Sequence, residues 1–164
     1  MKRFDVVIIG GGASGMFLAS ELAGRRVALI EANDRVGKKL LATGNGKCNL
    51  TNLDMNIVHY NRPSFVETYL DRFDAHDTIA SFERMGLITK VIDKRVYPYS
   101  ECASTVLDIL RGAVQKCGTE VFTGHIVNSV EYFADTYTVG GVTKVDGQTK
   151  SFSFTADNVV LATG

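Results

Sequence analysis

Residues 4–31 read FDVVIIGGGASGMFLASELAGRRVALIE, and the fold class follows from this stretch. Phe4 to Ile9 is a short β-branched run, apolar on both faces, as a strand inside a parallel sheet is. Ala13 to Ala23 has helical composition, and Gly24 suits its C-terminal stop. Val27 to Ile30 supplies a second strand ending at Glu31. The order predicts a compact β-turn-α-β unit.

The turn between the first strand and the helix, GGGASG at 10–15, fits G-x-G-x-x-G through Gly10, Gly12 and Gly15. Gly10 allows the tight turn, Gly12 lets a pyrophosphate approach the backbone, and Gly15 permits close helix–strand packing. The helix N-terminus, with Ala13 and Ser14 in its first turn, then faces the phosphates. Alone the pattern carries little weight. Here a strand precedes it, a helix follows it, and Glu31 stands at the end of the next strand, twenty-one residues after Gly10. Glu31 would accept hydrogen bonds from ribose hydroxyls, with Ala32 beside it, and its charge opposes a 2′-phosphate. The competing reading is a structural glycine turn with a surface glutamate.

The composition narrows the function classes. The chain has 164 residues, 45% hydrophobic, and eighteen basic residues balance eighteen acidic ones. That suffices for one domain with a core. It offers no basic surface for nucleic acid and no polybasic membrane patch. No stretch approaches a membrane span, and the N-terminal apolar run flows into the glycine turn without the cleavage site of a signal peptide. Cys48, Cys102 and Cys117 lack CxxC spacing, and His59, His76 and His125 lie far apart, so no metal site is expected. A reduced, cytoplasmic protein is expected.

Further along, Phe65, Val66, Tyr69, Leu70 and Phe73 share a helical face, with Ser64 and Glu67 as a capping box and the aromatic stripe at 65–82 as helix–helix core. Asp74 and Asp77 open a second helix closed by Gly86. LITKVIDKRVYPY reads as two strands about Asp93-Lys94, and Ser100 to Lys116 as a helix closed by Gly118. The segments EVFTGHIVNSVEYF, TYTVGGV and SFSFT alternate like antiparallel strands with turns near Gly140 and Gly147, and NVVLA at 158–162 is again a buried-type strand. The chain stops on LATG, directly after that strand, which points to a fragment of a longer protein.

LATGNGKCNLTN at 41–52 is compact, polar and capable of unusual backbone angles. A linker would be blander and a core element more apolar, so the loop is expected to hold something. Arg35-Val36-Gly37 resembles the R-x-G-G-R segment of many two-dinucleotide-domain flavoproteins, departing from it at Lys38 and Lys39. TADNVVLATG at 155–164 resembles the second signature of those proteins. Together with GGGASG, the stretches GKKLLATGNGKCNLTN (37–52), RVYPYS (95–100) and VVLATG (159–164) resemble the YhiN/BaiN-like flavoproteins, bacterial FAD-dependent oxidoreductases. The similarity spans almost the whole chain.

That resemblance implies an α/β three-layer, Rossmann-type FAD-binding domain with a parallel sheet, an antiparallel β-meander and a helical insertion at about 63–85. It implies FAD as cofactor, with NAD(P)H as a possible reductant. Thr43, Gly44, Asn45, Gly46, Cys48 and Asn49 would line the cofactor, and Lys38 and Lys39 would offset phosphate charge. Val127 would hold the adenine through its backbone, and Ala162, Thr163 and Gly164 would end near the flavin. Arg95, Tyr97 and Tyr99 are candidates for the rim of a substrate pocket, although a packed hairpin explains them equally. Cys48 reads as a packing residue, because a flavin–disulfide reductase needs a paired cysteine. Cys102 and Cys117, on the predicted helix, read as core or neutral. No catalytic acid or base can be named. The substrate is a small molecule, with no nucleic acid or membrane partner, and the oligomeric state stays open. Alternatives are an NAD-dependent dehydrogenase, which has no use for the 37–52 loop, a tRNA-modifying flavoprotein, which needs a basic face, and a cofactor-binding fragment without turnover.

Overall fold

The computed structural model describes all residues, 1–164. Along the chain run β1 (Lys2–Ile9), α1 (Ala13–Ser20), β2 (Val27–Ile30), a 3-10 segment at Lys39–Gly46, β3 (Thr51–Asn52) and a 3-10 turn at Ile57–His59. Then follow α2 (Pro63–Leu70), α3 (Ala75–Arg84), β4 (Thr89–Ile92), β5 (Arg95–Pro98) and α4 (Ala103–Lys116). The last four strands are β6 (Glu120–Phe122), β7 (His125–Phe133), β8 (Thr136–Val145) and β9 (Gln148–Leu161). Two compact units result: Met1–Lys39 with Leu110–Gly164, and Leu40–Ile109.

The first unit is built on a six-stranded sheet in the order β6-β2-β1-β9-β8-β7. β6, β2, β1 and β9 are parallel, whereas β8 and β7 fold back antiparallel. β1 is therefore flanked on both sides, with Val7 opposite Ala28 on one edge and Val159 on the other. This is why Val6–Ile9 is an unbroken apolar run: Val7 and Ile8 are fully buried. Each such side chain contributes roughly 1.5–3 kcal/mol relative to exposure. Phe4, Val7, Ile9, Ala28 and Ile30 form one cluster with Val139, Phe154 and Ala156 of the meander. Rings of Phe4, Phe122 and Phe154 meet there at centroid distances of 4.7–6.0 Å.

The second unit carries the three-stranded antiparallel sheet β3-β5-β4 and the helices α2 and α3. Asp93 and Lys94 both have positive φ, 47° and 66°, which gives the β4–β5 hairpin a turn that follows strand twist. Asp74 and Asp77 form the expected reciprocal capping box at the start of α3.

Several boundaries differ from the sequence reading. Ser64 and Glu67 form no capping box: α2 begins at Pro63, whose fixed φ favours the first helical position, and no side chain caps it. Its aromatic face is not core, since Phe65 and Tyr69 are exposed and only Phe82 of the stripe is buried. The helix read from Ser100 starts at Ala103, because Glu101 has φ of +50° and interrupts the turn. Cys102 consequently precedes the helix and is exposed, and Cys117 follows it, half-buried. Gly140 lies inside β8 rather than at a turn; the reversal falls at Ala134-Asp135, both with positive φ. SFSFT and NVVLA belong to one uninterrupted strand, β9, which pairs with β8 along one half and β1 along the other.

Candidate functional site

In the first unit the glycine turn lies where three parallel strands end together. The Gly10 N–H donates to the Ile30 carbonyl at 2.8 Å, and the Ala162 N–H donates to the Ile9 carbonyl at 2.8 Å. Gly10 has φ of +114°, and a Cβ there would stand 2.3 Å from the Ala162 oxygen. At Gly15 a Cβ would stand 1.9 Å from the Gly10 oxygen. These two glycines let α1 and β9 close onto the turn. Gly12 differs: a Cβ there would meet nothing within 4 Å. It caps α1 without a side-chain hydrogen bond, and no acidic residue occupies the first turn. Ala13 and Ser14, which follow Gly12 in the first turn, are exposed, and the helix dipole there favours an anion.

Glu31 completes this edge. Its Oε2 accepts from the Gly11 N–H at 2.9 Å, and its Oε1 accepts from the Asn33 N–H at 2.8 Å and Asn33 Nδ2 at 2.5 Å. Burial raises the carboxyl pKa, but the Asn33 and Gly11 hydrogen bonds and the Lys39 charge outweigh it, so the net direction is down. Glu31 therefore stays ionised. Ala32 beside it is exposed.

Gly11 and Asn33 are functional neighbours that the sequence reading missed. A Cβ on Gly11 would stand 2.6 Å from Val36 Cγ1 and 3.1 Å from Glu31 Oε2. Three consecutive glycines where the motif demands two were the available signal.

Lys38 and Lys39 separate. Lys38 Nζ pairs with Asp34 Oδ1 at 2.5 Å. Lys39 Nζ instead lies beside Gly164, 3.3 Å from where its Cβ would be, and bears on Glu31. Thr163 and Gly164 are exposed beyond the end of β9, with Ala162 half-buried. Val127 lies on β7 opposite Gly141, just before a bulge at Val127/Ser129, and packs against the core.

In the second unit, the loop at 43–49 turns through left-handed backbone at Gly44, Asn45, Gly46 and Cys48, with φ of 55°, 54°, 81° and 57°. Non-glycine residues in this region cost of order 1–3 kcal/mol each and persist where surroundings hold them. The holding bonds are visible: Thr43 Oγ1 donates to the Leu40 carbonyl at 2.6 Å, and the Cys48 N–H donates to the Thr43 carbonyl at 3.1 Å. A Cβ on Gly44 would stand 2.6 Å from the Asn49 nitrogen. Cys48 is buried, and burial pushes its thiol pKa up against a smaller opposing effect of Thr43. Thr43 to Lys47 and Asn49 are exposed.

The same unit holds a charge cluster that the sequence reading did not single out. Glu101 accepts from Lys47 Nζ at 2.6 Å and Lys90 Nζ at 2.5 Å, and these ammonium groups lower its pKa to about 2. Lys90 also lies 5.4 Å from the Tyr99 ring centroid. Tyr97 is half-buried, and Arg95 and Tyr99 are exposed. Spacing in sequence gave no hint, because the three residues come from a loop, a strand and a turn. No group of three His, Cys, Asp or Glu side chains is arranged to hold a metal. No helix is long and apolar enough to cross a membrane.

Comparison with known proteins agrees with this fold. Over 163 residues the chain is 37% identical to a 3-dehydro-bile acid delta(4,6)-reductase of Clostridium scindens, covering 96% of this chain and 38% of that protein. It is 30% identical over 162 residues to a ribosomal RNA dihydrouridine synthase of Haemophilus influenzae, covering 96% and 39%. The chain thus spans less than two-fifths of the length of these relatives. Among solved structures, Thermovibrio ammonificans THI4 superposes with a TM-score of 0.60 at 22% identity, over 99% of this chain and 58% of that one. The p-nitrophenol 4-monooxygenase PnpA of Pseudomonas putida gives 0.61 at 15% identity, over 100% and 42%. These two likenesses concern the fold. Residues 4–164 match the HI0933-like protein Rossmann domain, in keeping with the resemblance to YhiN/BaiN-like flavoproteins, and the chain belongs to that family.

Proposed function

We propose that the chain is the FAD-holding part of a flavoprotein oxidoreductase. The observation that carries this reading is the open space over Gly12, fronted by an uncapped helix N-terminus and edged by the ionised Glu31. A pyrophosphate would lie over Gly12 against the N–H groups of Ala13, Ser14 and Gly15. A ribose hydroxyl would donate to Glu31, whose charge opposes a 2′-phosphate. Lys39 is the cation for the phosphates, since Lys38 is committed to Asp34. Val127, the 162–164 end and residues 43–46, 48 and 49 are assigned to the remaining cofactor contacts. Bound flavin would supply hydride transfer, and the protein would position and shield it.

The relatives' names suggest the substrate class. Both describe saturation of a carbon–carbon double bond: the delta(4,6) bonds of a 3-oxo steroid, and the ring double bond of uridine. In each compound the double bond is conjugated to a carbonyl. We therefore assign reduction of a carbonyl-conjugated double bond, in which one carbon receives hydride, its neighbour a proton, and NAD(P)H is oxidised to NAD(P)+. A small molecule in the cytoplasm remains our reading of the acceptor. The synthase relatives favour a second reading, in which the acceptor is a base in RNA.

The first test is the visible spectrum of the purified chain after addition of FAD and desalting. A retained flavin band supports the reading; where the chain is colourless the same spectrum is taken on the full-length protein, and a colourless full-length protein overturns it. NAD(P)H oxidation with a conjugated enone or with ribosomal RNA as acceptor then decides between the substrate readings. Flavin retention without oxidation of either nucleotide would leave a cofactor-binding module.

A further inference from the structure

Glu31 could in principle offer both carboxylate oxygens to an incoming diol. The hydrogen bonds show otherwise. Oε1 accepts twice, from the Asn33 N–H at 2.8 Å and from Asn33 Nδ2 at 2.5 Å, which uses both of its in-plane lone pairs. Oε2 accepts once, from the Gly11 N–H at 2.9 Å, and retains one acceptor position. The Asn33 backbone is fixed in turn. Its carbonyl accepts from the Gly124 N–H at 2.7 Å, and the neighbouring Glu31 carbonyl accepts from the His125 N–H at 3.0 Å. The Glu31 N–H donates to the Phe122 carbonyl at 2.9 Å. The β6–β7 turn therefore clamps residues 31–33, and Asn33 transmits that clamp to the carboxylate.

We infer that Asn33 is a positioning residue for the cofactor site: its side-chain amide turns the Glu31 carboxylate so that Oε2 is the single acceptor left for a ribose hydroxyl. This rests on the FAD reading above. A carboxylate left with one acceptor makes one strong, directed hydrogen bond to the diol, and the amide keeps it from rotating away. The amide also stabilises the ionised form. The charged groups facing Glu31 are few. Lys39 is the cation that bears on it, and Asn33 and Gly11 are its hydrogen-bond donors. Asn33 itself is exposed and contributes no core packing.

Two variants separate positioning from mere turn formation. Asn33→Asp keeps the size and turn preference of the residue but replaces the donor with a second carboxylate facing Glu31. Asn33→Ala removes the donor alone. The readouts are the FAD dissociation constant by quenching of flavin fluorescence, its pH dependence, the Glu31 carboxyl titration by NMR in the cofactor-free chain, and thermal unfolding. The expected result is FAD affinity lower by about tenfold in Asn33→Ala and by more in Asn33→Asp. The acid limb of binding and the Glu31 titration should move to higher pH in both, with unfolding temperatures close to wild type. If wild type binds FAD and both variants match it in affinity and in the Glu31 titration, the inference is overturned while the FAD reading stands. If Asn33→Asp binds as wild type while Asn33→Ala does not, Asn33 acts as a turn residue and the inference is again overturned. If wild type fails to bind FAD both as this chain and as the full-length protein, the cofactor reading is overturned and the inference with it.

Discussion

Gly10 and Ala162 meet backbone to backbone: a Cβ on Gly10 would stand 2.3 Å from the Ala162 carbonyl oxygen and 2.9 Å from the Thr163 nitrogen. The N-terminal glycine turn and the LATG end are thus one junction, although the chain separates them almost completely. Gly10→Ala should strain φ and force β9 away from β1 together. The expected cost is about 3 kcal/mol or more. Denaturant unfolding measures it, and a loss under about 0.5 kcal/mol would contradict the junction as described.

Gly12 behaves oppositely. A side chain there meets open space, and its φ of −78° suits any residue. Gly12→Val should leave stability within about 1 kcal/mol of wild type. It should also abolish FAD retention on desalting, because the branched side chain would occupy the position assigned to pyrophosphate. Retention equal to wild type would remove Gly12 from the site.

The two lysines at 38–39 should differ. Lys39→Met is expected to weaken FAD binding by about tenfold, through loss of a cation beside the phosphates. Lys38→Met breaks only an exposed pair with Asp34 and should change binding by about twofold or less. Both effects are read from flavin fluorescence titrations, and the tenfold effect should shrink in high salt.

Glu101 gives the second unit an acid-sensitive contact. Its pKa falls from an unfolded 4.5 to about 2 when Lys47 and Lys90 surround it. A carboxyl with a depressed folded pKa binds protons first in the unfolded state, so its contribution is complete above about pH 4.5 and is lost as pH falls toward 2. Asp54 and Asp74, also lowered, add to the same acid limb. Stability should therefore decline over this window, and less steeply in Glu101→Gln. Equal slopes in acid titrations of the two proteins would show that the cluster contributes nothing.

The thiols should rank by environment. Cys102 is exposed, and hydrogen bonds from the Ser104 hydroxyl and the Ser104 and Thr105 N–H groups lower its pKa. Cys48 is buried with its pKa raised. Iodoacetamide labelling followed by mass spectrometry should modify Cys102 first and Cys48 last in the folded protein. Early labelling of Cys48 would contradict its packing role.

Sequence determined what depends on local chemistry. The β-branched run at 4–9, the glycine spacing at 10–15, Glu31 at a strand end, the Asp74/Asp77 capping box and the Asp93-Lys94 hairpin turn each follow from near neighbours, and each is found in place. The local signals failed on α2, where an adjacent residue or the lack of a covering segment decided the outcome. Ser64 and Glu67 had the pattern of a capping box, yet Pro63 starts the helix one residue earlier. The Phe65–Tyr69 stripe had core periodicity, yet nothing in this chain covers it. Tertiary structure alone decided that Gly10 abuts Ala162, that Asn33 and Gly11 divide the Glu31 carboxylate, that Lys38 is paired while Lys39 faces Gly164, and that Lys47, Glu101 and Lys90 converge. The physical reason is common to all four. Periodicity and propensity report the conformation of a few consecutive residues, whereas hydrogen bonds and steric contacts between segments exist only once strands are ordered and in register.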